Sequence, residues 1–172
     1  MTEILPGLWL GNIENASSLH FVKNNNIEII INVSKDIPNY FENYITYFRI
    51  PVDDPGPGRE DENTEIMNSI LPYISCVIKN FRQGKKRYNI LVHCHAGAQR
   101  SPTIIAAYIL RFCTIFIPGF GYISDLKNTP IYIKEKKLDA VISHLVKLRP
   151  IVFFGGRCVN FKTSLLKYIS EI

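Results

Sequence analysis

Three observations predict an α/β fold with a central, mostly parallel twisted sheet flanked by helices. Ile27–Val33 and Asn89–His93 are apolar runs rich in β-branched residues, with Ile29, Ile30 and Ile31 consecutive. Such runs suit strands covered on both faces, as parallel strands are. Between them lies a long stretch with apolar residues at helical spacing, and strands alternating with helices build parallel sheets. At 172 residues the chain has the size of one domain, so residues 1–172 are expected to form a single one.

The elements follow in order. Leu8-Trp9-Leu10 reads as a short strand ended by Gly11-Asn12, and Asn15 to Asn24 as a helix. Ile27–Val33 is the first buried strand, and Ile45 to Val52 a further strand ending at Pro51-Val52-Asp53. Asp54-Pro-Gly-Pro-Gly-Arg-Glu-Asp61 can be neither helix nor central strand and is expected as an exposed loop. Glu62 to Phe81 carries Ile66, Ile70, Ile74, Val77 and Ile78 at helical spacing, with Pro72 as a point of kinking or restart. Gln83 to Arg87 is a basic turn before the buried strand Asn89–His93. A helix opens near Ser101-Pro102, serine suiting an N-cap and proline the first turn. Its body, Thr103 to Leu110, is apolar all round and belongs inside the protein. Cys113 to Ile131 is an apolar insertion containing Gly and Pro, and Tyr132–Leu148 and Asn160–Ile172 read as amphipathic helices.

Composition excludes several classes. Hydrophobic residues at 47% and charged residues at 20% are globular, not disordered, proportions. A net charge of +5 favours anionic partners without separating phosphoprotein from nucleic acid or lipid headgroup. Thr103–Ile123 approaches bilayer-spanning length, but Arg111 and Pro118-Gly119 interrupt it, so no transmembrane segment is expected. The N-terminal Met-Thr-Glu-Ile-Leu-Pro-Gly has no basic region leading into an apolar run, so no signal peptide is expected. Cys76, Cys94, Cys113 and Cys158 form no C-x-x-C pair, which suits reduced thiols in a cytoplasmic compartment.

The decisive segment is His93-Cys94-His95-Ala96-Gly97-Ala98-Gln99-Arg100-Ser101-Pro102. A buried strand ends at Cys94, and a helix begins where Arg100 stands. The N–H groups of His95, Ala96, Gly97, Ala98 and Gln99 would turn inward beside the positive end of that helix, forming an anion cradle. Gly97 allows the tight turn. Arg100 can grip two oxygens of a tetrahedral dianion with its planar fork. Cys94 would lie beneath the phosphorus, and its thiolate is the reactive form. A helix terminus favours an anion by only ~0.3–2 kcal/mol, so the loop amides and Arg100 must add most of the thiolate's stabilisation.

This segment resembles the His-Cys-x5-Arg-Ser/Thr signature of the protein tyrosine phosphatase superfamily. His-Cys-x-Ala-Gly-x-x-Arg-Ser before an Ala-Tyr-Ile-Leu helix resembles its dual-specificity branch. Leu8-Trp9-Leu10-Gly11-Asn12, Ile30-Ile31-Asn32-Val33, Ile50-Pro51-Val52-Asp53-Asp54, Arg149-Pro150 and Phe161-x-x-Ser164-Leu165 resemble further family segments, in the family's order. The resemblance implies a protein tyrosine phosphatase-like fold and hydrolysis of phosphotyrosine and phosphoserine/threonine in proteins. It implies Cys94 as nucleophile through a phosphocysteine, Arg100 as phosphate ligand, and Ser101 assisting departure of the sulfur. It further implies that His93 orients the loop and favours the thiolate, that Asp54 is general acid, and that no metal or other cofactor is needed. The loop after Asp54 is longer than the pattern, which leaves Asp53 as a close rival and Asp61 as a remote one.

Other readings of the same residues stand beside these. His93-Cys94-His95 offers metal-ligand types, but neighbours on a strand point to opposite faces and chelate poorly. Arg157 beside Gly155-Gly156 reads as a solvated loop arginine or a contact to a substrate anion. The apolar insertion near 113–131 serves either core packing or a homodimer contact. An RNA 5′-triphosphatase or a phosphoinositide phosphatase would use the same cradle, though His95, Ala98 and Gln99 supply no lysine for a polyanion. A catalytically weak phosphoprotein-binding module is the rival of a different class.

Overall fold

The computed structural model describes residues 1–172. Five strands, β1 (Thr2–Leu5), β2 (Leu8–Gly11), β3 (Ile29–Asn32), β4 (Thr46–Arg49) and β5 (Ile90–His93), form one sheet in the order β1-β2-β5-β3-β4. Only the β1–β2 pair is antiparallel; the others are parallel, as the buried isoleucine runs predict. Strand β1 has no counterpart in the sequence reading. It is four residues long and joins β2 through Pro6-Gly7, too short a segment to show a period.

Period-two alternation sends neighbouring side chains to opposite faces. Leu8, Leu10, Ile29, Ile31, Ile90 and Val92 enter the larger core, under helices α3 (Glu62–Gln83), α4 (Arg100–Phe112), α5 (Ile131–Leu148) and α6 (Lys162–Glu171). Ile30 and Leu91 enter a smaller cluster with Ala16 and Val22, under α1 (Ile13–Ser17) and α2 (Leu19–Asn24). Helix α4 is buried from Ser101 to Leu110, as its all-round apolar body requires. No helix is long and apolar enough to cross a membrane.

Three expectations need correction, and one segment left without an assigned form acquires one. The helix expected over Asn15–Asn24 is two helices, because the Ser18 hydroxyl accepts from Phe21 N and caps a new start. Pro72 does not restart α3, which runs unbroken through it. The insertion after Cys113 is a hairpin of β6 (Ile115–Ile117) and β7 (Gly121–Ile123), with Phe116, Phe120 and Tyr122 exposed. Helix α4 begins at Arg100, and Ser101, expected as its N-cap, lies inside the helix.

The hairpin is anchored from below by one buried cation. Lys137, fully buried in α5, donates to the carbonyls of Leu110, Cys113 and Ser124, each at 2.8 Å. A lysine this deep needs such partners, and burial lowers its pKa from 10.5 to about 8.

Candidate active site

Strand β5 delivers Cys94 to the carboxyl edge of the sheet, between neighbours β2 and β3. Ligands of open parallel sheets bind at that edge. From here to α4 the chain makes a loop in which each carbonyl from His93 to Gln99 has a partner. His93 O accepts from Val33 N at 2.8 Å, and His95 O from Ile13 N at 3.0 Å. Ala96 O and Gly97 O accept from Arg149 Nη2 at 3.4 Å and Nε at 3.3 Å. Ala98 O accepts from Phe153 N at 2.8 Å. Cys94 O accepts from His93 Nδ1 at 3.3 Å, and Gln99 O from Thr103 Oγ1 at 2.7 Å.

The amides of His95 to Gln99, by contrast, donate to no protein atom. No peptide bond in the chain is cis. In a trans unit the C=O of one residue and the N–H of the next point oppositely. With the carbonyls tied to the surrounding frame, the N–H groups are directed away from it and left open to an anion. Gly97 sits at φ +66°, and a Cβ there would lie 2.6 Å from Gly11 O and 2.9 Å from Arg149 Nη2. The loop passes this point only without a side chain.

Cys94 is 2% exposed, and Ser101 Oγ lies 3.2 Å from its sulfur. This contact replaces the expected cap: the hydroxyl faces the cysteine rather than the helix amides. Arg100 opens α4 and is half-buried, and its Nη1 donates to Val52 O at 3.2 Å. That bond holds the guanidinium against the residue just before Asp53 and Asp54. His93 is buried. Desolvation lowers its pKa from 6.5 to about 4, against its bond to Cys94 O and with the Arg49 and Arg100 charges adding to the lowering. It is therefore neutral at neutral pH and acts by hydrogen bonding, with Nε2 unpartnered. Burial also lowers the Arg149 pKa, while a negative Cys94 opposes that shift.

The acidic residues separate by surroundings. Asp54 Oδ1 accepts from Asn160 Nδ2 at 2.7 Å and from Gly56 N at 3.1 Å. The Asp53 carboxylate faces Lys35 instead, at 4.0 Å. Asp61 caps α3, accepting from Asn63 N at 2.8 Å. Arg157 is exposed and donates to Phe154 O at 2.9 Å within its own turn. The side chain of Gln99, counted with the cradle, leaves it: both ends of its amide bond to Cys158 O and Asn160 N. Two residues come forward that sequence reading did not place at the site, Arg149 and Asn160. Arg149 carried a signal, since Arg149-Pro150 is among the family-like segments; Asn160 read only as a helix start.

The comparisons agree with this architecture. The family model described as "Dual specificity phosphatase, catalytic domain" matches residues 8–117, more than half of the chain. Dual specificity protein phosphatase 1-A of Xenopus laevis is 38% identical over 164 residues, covering 95% of this chain and 37% of that protein. Dual specificity protein phosphatase 5 of Homo sapiens is 36% identical over 168 residues, covering 95% and 36%. The chain thus spans little more than a third of the length of these curated relatives. The crystal structure of human DUSP28 superposes with a TM-score of 0.68 at 17% identity, covering 99% of this chain and 96% of that one, a likeness of fold. By the match over residues 8–117, the chain belongs to the dual specificity phosphatase catalytic-domain family.

Proposed function

We propose that the chain, as a single catalytic domain, is a cysteine-dependent phosphoric monoester hydrolase acting on phosphotyrosine and phosphoserine/threonine in proteins. The observation that supports this best is the loop around Cys94, with its carbonyls bonded outward and its amides free. The phosphoryl dianion sits on those amides and on the Arg100 fork. The Cys94 thiolate attacks phosphorus, forming the P–S bond as the P–O bond to the substrate breaks. Asp54 gives its proton to the departing oxygen. Asp54, now a carboxylate, takes a proton from water as the water oxygen attacks phosphorus. The P–S bond breaks, Ser101 hydrogen-bonds the departing sulfur, and inorganic phosphate leaves. His93 holds the loop through Cys94 O. No metal enters these steps.

The test is turnover of p-nitrophenyl phosphate without added metal, by wild type and Cys94→Ser. Turnover lost in the variant supports the reading; none in either sinks it and leaves a phosphoprotein-binding module. Phosphotyrosyl and phosphoseryl peptides are then compared with 5′-triphosphate RNA and inositol lipids. Preference for either polyanion would replace the protein substrate. The four cysteines are unpaired, which suits a reducing, cytoplasmic compartment. The exposed aromatics of the hairpin, Phe116, Phe120 and Tyr122, suit contact with a second copy of the chain. Light scattering across concentration tests that, and a monomer throughout removes it.

A further inference from the structure

Asp54 stands at the start of a loop that cannot hold it. Residues 57–61 are exposed, and Gly56 and Gly58 have no heavy atom within 4 Å of where a Cβ would be. Beyond its own turn, the Asp54 side chain has one hydrogen bond, to Asn160 Nδ2 at 2.7 Å, across 106 positions of sequence. Asn160 is 7% exposed and fixed at both ends. Its N–H donates to Gln99 Oε1 at 3.0 Å, and its Oδ1 accepts from Cys158 Sγ at 3.2 Å. The thiol contact sets the sense of the amide, turning the NH₂ to a carboxylate that can only accept. Gln99 is 3% exposed, its Nε2 donates to Cys158 O at 2.9 Å, and it directly precedes Arg100 in the phosphate loop.

We infer that Gln99 and Asn160 are positioning residues that carry the placement of the phosphate loop across to the Asp54 carboxyl. The inference rests on the acid role proposed for Asp54. A loop exposed over residues 57–61 constrains the carboxyl little; a bond chain running loop–Gln99–Asn160–Asp54 ties it to the frame that also holds Cys94 and Arg100. Asn160 donates to Asp54 and not to Asp53, whose carboxylate faces Lys35. The device acts only where the leaving oxygen needs a proton.

The experiment compares phenyl phosphate, whose leaving oxygen needs that proton, with p-nitrophenyl phosphate, whose phenol departs more readily as an anion. Asn160→Ala, Asn160→Asp and Gln99→Leu are assayed beside Asp54→Asn, with thermal melting to verify folding. Misplacing a catalytic group by about 1 Å costs on the order of 100-fold. Asn160→Ala should therefore lose roughly 10- to 100-fold in kcat on phenyl phosphate and several-fold less on p-nitrophenyl phosphate. Its pH profile should also lose the alkaline limb that a general acid imposes. Asn160→Asp, nearly the same shape but unable to donate, should behave alike even if Asn160→Ala fails to fold; Gln99→Leu should show a weaker form. Equal losses on both substrates with the alkaline limb retained, or no loss, while Asp54→Asn discriminates between them, overturn this inference alone. If Asp54→Asn does not discriminate, the acid assignment falls first and takes the inference with it.

Discussion

The two loops that meet at the site are built on opposite principles. Residues 94–99 have a partner for each carbonyl and a glycine pressed against Gly11 O and Arg149. Residues 54–61 are largely exposed, and their glycines stand in open space. The proposed anion cradle must keep several amides converged on one point, and its carbonyls are braced by Ile13 of α1, Val33 after β3, Arg149 after α5 and Phe153. A group that delivers a proton needs only one fixed side chain. The difference teaches that rigidity is spent where many donors must agree, and lent by a single bond chain where one must.

Removing the sulfur should have the largest effect. Cys94→Ser is expected to lower kcat on the order of 10⁴-fold or more, the scale of losing a nucleophile, in steady-state assays with aryl phosphates. Next, Asp54→Asn should lower kcat on phenyl phosphate by roughly 10²–10³-fold. A greater loss from Asp53→Asn in the same assay would move the acid to Asp53.

A pair of alanine substitutions probes the contrast most directly. Gly97 and Gly58 have nearly the same φ, +66° and +65°, but only Gly97 has atoms within 3 Å of a new Cβ. Both replacements share a backbone strain of about 1–3 kcal/mol. Gly97→Ala should cost some 2–3 kcal/mol more in urea denaturation, since backbone oxygen must move, and should also depress activity. Equal costs would mean the phosphate loop is no more tightly framed than the acid loop.

Acid stability should carry the mark of His93. The unfolded chain takes up a proton there near pH 6.5, the folded chain only near 4. The depressed value means stability is intact above pH 6.5 and falls as the pH drops from 6.5 to 4, by about 3 kcal/mol in all. Urea midpoints over that range should fall in wild type and less in His93→Asn; parallel curves would assign the acid limb to other groups. The smallest effect is expected from Arg59→Ala in the exposed loop, within ~0.5 kcal/mol of wild-type stability by the same measurement.

Much of the fold was legible because burial leaves a local trace. Ile29-Ile30-Ile31 and Ile90-Leu91-Val92 lack polar alternation because both faces of their strands are covered, and the structure places alternate residues in two separate clusters. The all-apolar body of α4 announced its burial in the same way. Boundaries were less legible where one hydrogen bond decides them. Ser18 splits a helix by capping Phe21 N, and Ser101, a good cap by type, spends its hydroxyl near Cys94. The form of the hairpin was not legible either, because the lysine that anchors it, Lys137, lies in a helix some twenty residues on and looks in sequence like a solvated charge.

By itself, the sequence determined the order of strands β2 to β5, the mostly parallel sheet and the loop that joins the strand before Cys94 to the helix opened by Arg100. All of these depend on spacing and polarity within short segments, which a linear pattern records. Only the tertiary structure decided which acid is tied to the frame, that Arg149 braces the loop carbonyls, and that Gln99 faces Asn160 rather than the cradle. Those outcomes depend on contacts between residues 50 to more than 100 positions apart, where direction and distance count and nearness along the chain does not.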